Sequence, residues 1–176
     1  PERLPESIDD LLSLAQAALA EMRALIFELR PESLEREGLV SALSKQGAAL
    51  QARHDITVQT DLCDEPYLSL TVKQDLYRIA QEALHNTVKH AHACKVNLVL
   101  RRTESRVILE IRDDGVGFDP LGSFPGHLGL HSMQERVSHL GGRLQIESAP
   151  GQGTHLLAQV PLGKLDGDDL DDLPSV

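Results

Sequence analysis

The run Arg78-Ile-Ala-Gln-Glu-Ala-Leu-His-Asn-Thr-Val-Lys-His-Ala91, followed downstream by Asp113-Asp-Gly-Val-Gly117, constrains this chain more than any other feature. At about 100° per residue, Glu82, Asn86, Lys89 and His90 share an arc of about 100° on a helix. Leu76, Ala80, Ala83, Leu84, Thr87, Val88 and Ala91 take the opposite side and read as its core face. Two readings of the polar face stand side by side. It is a solvated surface, or it is a magnesium–phosphate site. In the second, Asn86 joins phosphate oxygens and water around a hard cation. Glu82 then orients or deprotonates a water or hydroxyl.

The glycine turn favours a ligand without requiring one. Residues Arg106–Arg112 alternate as a strand, which runs into Asp113-Asp114-Gly115-Val116-Gly117. A plain hairpin needs a single Asp-Gly pair. The second glycine is extra, and it permits positive φ and close backbone approach. A further glycine stretch, Gly126-His127-Leu128-Gly129-Leu130, opens a helix whose Leu130, Met133, Val137 and Leu140 are helically spaced. Gly141-Gly142 stops it. Free N–H groups and a positive dipole end at such a start favour phosphate. Its spacing is neither the Walker nor the Rossmann pattern. Gly151-Gln152-Gly153-Thr154 opens the last strand.

In this order, the segments resemble the ATP-binding catalytic domain of sensor histidine kinases, in the wider family of gyrase, Hsp90 and MutL ATPases. Arg78–Ala93 is similar to the N box, and Asp113–Gly117 to the first glycine box. Gly126–Leu130 with Met133–Val137 is similar to the second glycine box of the nitrate-sensor-like subfamily. Gly151–Thr154 is similar to the last glycine element. Glu28-Leu29-Arg30-Pro31-Glu32-Ser33-Leu34 and Gly38–Leu43 also match that subfamily, between the second dimerisation helix and the catalytic domain.

The resemblance implies ATP and Mg²⁺ as cofactors, with Asn86 as the metal ligand and Glu82 as the polarising base. It implies phosphate contacts from Lys89 and His90, and acceptance of the adenine amino group by Asp113. Gly115 and Gly117 would let backbone approach the nucleotide. Gly126, His127, Gly129 and Leu130 would form a lid and its hinge, and Thr154 would support the adenine side. The lid between Phe118 and Gly129 is short, which implies an exposed nucleotide.

Ile8, Leu11, Leu12, Ala15, Leu19, Met22, Leu25, Ile26 and Leu29 recur at helical steps until Pro31. Such a stripe cannot bury itself alone. It packs on its own domain, or it forms one helix of a dimeric four-helix bundle, as the resemblance implies. The expected organisation is therefore a second bundle helix over 1–31, a linker over 32–38, a catalytic domain over 39–162 and an acidic disordered tail over 163–176. One departure is notable: no histidine precedes His54, so the family's acceptor histidine would lie on a missing upstream helix. The chain opens with Pro1 rather than Met and reads as an excised fragment.

Composition excludes more than it assigns. The net charge of −10, from 27 acidic and 17 basic residues, argues against a broad nucleic-acid or membrane surface. No segment has the roughly 18 apolar residues of a membrane span, so a cytoplasmic location is expected, with any anchor upstream. Cys63 and Cys94 stand alone and suit reduced thiols. His54, His139 and His155 read as unpartnered.

The spacing predicts helices over Gly38–Arg53, Thr71–Ala91 and Leu128–Leu140. It predicts strands over Asp55–Asp61, Lys95–Arg102, Arg106–Asp113, Arg143–Ser148 and Thr154–Pro161. Adjacent hairpins with segregated helices indicate an α+β two-layer sandwich with a mixed sheet. Three function classes follow. The first is a protein-histidine kinase module with a response-regulator partner and a homodimer through the N-terminal helix. The second is a related ATPase or anti-sigma-type serine kinase. The third is a nucleotide-sensing module.

Overall fold

The computed structural model describes residues 31–119 and 127–162, with side chains from Leu34 to Asp119 and from Gly129 to Leu162. The helix expected before Pro31 and the acidic tail after Leu162 lie outside the described residues. In chain order the elements are α1 (Pro31–Arg53), β1 (Thr57–Leu62), α2 (Leu70–Asn86), a π-turn (Thr87–Ala91), β2 (Lys95–Arg102), β3 (Arg106–Asp113), α3 (His127–His139), β4 (Arg143–Ser148) and β5 (Thr154–Pro161). The strands form one sheet in the order β1-β2-β3-β5-β4. β1 pairs with β2 in parallel and every other pair is antiparallel, so the sheet is mixed as expected.

Strand alternation decides which side chains meet the helices. Val96, Leu98 and Leu100 of β2, Val107, Leu109 and Ile111 of β3, and Leu156, Ala158 and Val160 of β5 are all buried on one face. They pack against Leu76, Ile79, Ala83 and Leu84 of α2, Met133 and Val137 of α3, and Leu39 and Leu43 of α1. Each fully buried Leu or Ile contributes about 2 kcal/mol. The same two-residue period carries Asp113 and Thr154 onto this inner face, at the end of β3 and the start of β5. On the outer face His155, read from the sequence as unpartnered, lies 2.9 Å from Glu110 across the ladder.

The linker expected over 32–38 takes a different form. Helix α1 runs through it and is broken at Gly38 alone, with φ 83° and ψ 169°. Leu34 is already buried in the common core. The break is held from a distance by Glu65, in the loop after β1. Its two carboxylate oxygens accept from Leu39 N and Val40 N, each at 2.8 Å. Lys73 sits 2.9 Å away. Glu65 thus caps the second half of α1 from outside the helix. A Cβ at residue 38 would lie 2.6 Å from the Glu65 carboxyl carbon, so glycine is required twice over, by sterics and by positive φ. Burial alone would raise the Glu65 pKa. The Lys73 hydrogen bond and the Val40 and Leu39 amides outweigh it and hold the carboxyl below its usual range.

Candidate functional site

Ser69 caps the start of α2, its side chain accepting from Val72 N. Four turns on, α2 presents Glu82 and Asn86, both half-buried, with Asn86 Nδ2 3.4 Å from Glu82 Oε1. The sequence predicts one uninterrupted helix to Ala91. Instead the last five residues, Thr87–Ala91, wind as a π-turn and His92 closes it with φ 49°. A π-turn adds a residue to the helical circuit. Lys89 and His90 lie on this turn and are exposed.

Another loop is hydrogen-bonded to the end of this π-turn. Val116 N donates to Ala91 O at 2.7 Å. A Cβ at Gly115 would lie 2.3 Å from that same carbonyl. Gly117, at φ 61°, is packed so that a Cβ would stand 2.1 Å from Ala149 O. Both glycines of the turn thus serve close approach of backbone to protein backbone. Gly151 N donates to Val116 O at 2.6 Å, which ties the β4–β5 turn to the same point.

Asp113 is 7% exposed. Its Oδ1 accepts from Gly115 N at 2.9 Å and from Thr154 N at 3.2 Å. Its Oδ2 faces the Thr87 hydroxyl at 3.4 Å. One oxygen is therefore saturated by backbone and the other keeps accepting capacity. That is the arrangement needed to receive an amino group from a ligand. Val116, three residues on, is 49% exposed and so presents apolar surface to solvent.

Helix α3 closes the other side. The start of α3 abuts α2, since a Cβ at Gly129 would stand 2.0 Å from Glu82 Oε1. Arg136 pairs with Asp75 of α2 at 2.9 Å, and Leu130, Met133 and Val137 pack on the core. Gly126 and the His127 side chain lie outside the described residues. Glu82, Asn86 and Gly129 are thus brought together at one place, and Asp113, Gly115, Gly117 and Thr154 at another, with Thr87 adjoining both sets.

Several residues of this region were not singled out in the sequence. Asp114 Oδ1 accepts from Cys94 N and Lys95 N, each at 2.8 Å, and so fastens the start of β2. Ser148 Oγ accepts from Phe118 N at 2.9 Å and donates to Gly153 O at 2.8 Å. The Thr87 hydroxyl touches Asp113. Only Thr87 carried a signal, as a polar residue on the helix's apolar face. A shallow depression of about 250 Å³, lined by Lys95, Asn97, Arg112, Asp113, Asp114, Gly151 and Gln152, opens at the sheet end. It contains neither Glu82 nor Asn86, so it is separate from the helix-side site. Among the described residues, no cluster of three His, Cys, Asp or Glu could hold a metal unaided. A hard cation beside Asn86 would take its remaining ligands from phosphates and water.

Residues 71–164 match the model of the histidine kinase-, DNA gyrase B- and HSP90-like ATPase family. The chain belongs to this family. It is 36% identical to the sensor histidine kinase LiaS of Bacillus subtilis over 85% of its own length and 41% of that protein. It is 38% identical to the sensor histidine kinase YhcY of the same organism, over 92% of the chain and 41% of the relative. The chain thus spans about two fifths of these relatives. The histidine kinase AdeS of Acinetobacter baumannii shares the fold, with a TM-score of 0.64 at 19% identity over 92% of each chain. Its membership makes this an ATP-binding domain. No described helix is long and apolar enough to cross a membrane.

Proposed function

We propose that this chain is the catalytic, ATP-binding portion of a two-component sensor histidine kinase. It would deliver the γ-phosphoryl of Mg·ATP to a histidine on a helix not contained in it, for relay to a response regulator. The observation that carries the reading is Asp113. It is a buried carboxylate with one oxygen saturated by backbone and the other met by the Thr87 hydroxyl but by no backbone donor, with an exposed Val116 three residues on.

In this reading Asp113 binds the adenine amino group, and Thr154 fixes that carboxylate through its backbone N–H. Val116 covers one face of the ring. Asn86 is the protein's ligand to Mg²⁺, which when bound would neutralise phosphate charge. Lys89 and His90, on the exposed π-turn, contact the phosphates, Lys89 with its charge and His90 through a ring N–H. Glu82 stands where it can polarise the attacking group, held by Asn86 and hemmed in by Gly129. Gly126, His127, Gly129 and Leu130 form the lid. Catalysis is mainly positioning and electrostatics. The residues before Pro31 supply the second helix of a dimeric bundle, and the protein acts in the cytoplasm.

The test is phosphotransfer from labelled ATP by a longer protein that includes the upstream helix. Acid-labile, base-stable label that disappears in Asn86→Ala is the expected result. ATP binding with label only on serine, or with hydrolysis alone, overturns the histidine-kinase reading.

A further inference from the structure

Among the described residues two polar side chains are buried, Thr87 at 2% and Asp113 at 7% exposure, and they touch each other. The Thr87 hydroxyl stands between two acceptors, Ala83 O at 3.1 Å and Asp113 Oδ2 at 3.4 Å. A hydroxyl carries one proton, so it serves one of them at a time. The choice is not symmetrical. Ala83 O already receives the backbone N–H of Thr87, so it is not orphaned when the hydroxyl turns away. Asp113 Oδ1 is likewise supplied twice by backbone, but Oδ2 has no backbone donor. A buried carboxylate oxygen left without a donor is costly.

We propose that Thr87 is the reserve donor of the base pocket and a positioning residue that sets its specificity. The hydroxyl proton rests on Asp113 Oδ2 while no ligand amino group is there. It turns to Ala83 O when the amino group arrives. This rests on the reading of Asp113 as the adenine contact. At 2% exposure the Thr87 hydroxyl does not meet the ligand itself, so it works through Asp113. The hydroxyl and the ligand amino group are therefore interchangeable partners of one oxygen. A ligand without the amino group is penalised only mildly, because the hydroxyl returns. Without the hydroxyl, the same ligand leaves Oδ2 bare.

The experiment compares Mg·ATP with Mg·purine riboside triphosphate, which has the adenine ring without its 6-amino group. Affinities are measured for the chain and for Thr87→Val, Thr87→Ala and Thr87→Ser. Valine keeps the shape, and alanine is the best helix former should valine fold poorly. The parent should prefer ATP about tenfold, the scale of one hydrogen bond to a charged group. Thr87→Val or Thr87→Ala should widen the preference about tenfold further, because the ligand amino group is then the one remaining donor to Oδ2. Thr87→Ser should keep the parent preference. An unchanged preference in a hydroxyl-less variant, or a serine variant that shifts as far as valine, overturns the proposal. If the parent itself does not distinguish the two ligands, the fault lies with Asp113 as the adenine contact. If the parent distinguishes them and the hydroxyl-less variants match it, only the role of Thr87 falls.

Discussion

Asp113 and Asn86 both adjoin Thr87, yet they are held by different means. Asp113 is buried and takes two backbone N–H groups on one oxygen, beside glycines packed against carbonyls. Asn86 is half-buried and meets Glu82 at 3.4 Å, a long contact. Lys89 and His90 beyond it are exposed. In the proposed reading the base end is therefore preorganised, because backbone amides set its carboxylate. In the same reading the phosphate end carries its groups on side chains, which a cation and phosphates would hold in place. Disturbing the first should cost folding as well as binding, and disturbing the second should cost binding alone.

The largest effect expected is at the phosphate end. Asn86→Ala should weaken Mg-dependent ATP binding at least about a hundredfold and leave the melting temperature near that of the parent. Titration calorimetry with and without Mg²⁺, beside thermal melts, checks both halves. A matching loss of stability would erase the distinction between the ends. At the base end, Gly115→Ala pushes a methyl into the Ala91 carbonyl, where backbone must move. It should cost about 2–3 kcal/mol in denaturant unfolding and weaken ATP binding with it.

Glu65→Gln is the control, remote from both ends. Loss of a charged cap on Leu39 and Val40 should cost about 1 kcal/mol at neutral pH, with ATP affinity unchanged. Because the folded pKa is depressed, the stabilisation is full above the ordinary glutamate range of about 4.3 and is lost as pH falls through the lower folded value. The parent and Glu65→Gln should therefore converge in acid. A gap that persists at low pH would assign the cap to shape rather than charge. The smallest effect is His90→Ala, about threefold weaker ATP binding by titration calorimetry with stability untouched.

Much of the fold was legible because its signals are local. The period of two in Val107, Leu109 and Ile111 placed the strand, and continuing it by one step places Asp113 inside. The apolar stripe of Leu76, Ala80, Ala83 and Leu84 placed α2, and Thr87 was already on that stripe. The catalytic candidate Glu82 and the metal-ligand candidate Asn86 follow from the same arithmetic. The π-turn that carries Lys89 and His90 was not foreseen, since the arithmetic assumed a straight helix. The end of that turn is where Ala91 meets Val116, across the β2–β3 hairpin.

By itself, then, the sequence determined which segments are helix or strand, which faces turn inward, and where glycine turns interrupt them. Those are set by steric and hydrophobic periodicities within a few residues. The tertiary structure alone decided that Gly38 breaks a helix clasped by Glu65, that Asp114 fastens β2, and that Thr87 stands on Asp113. Each joins residues at least 19 positions apart. Such partners are chosen by how the packed layers bring unsatisfied donors and acceptors together, which no local period records.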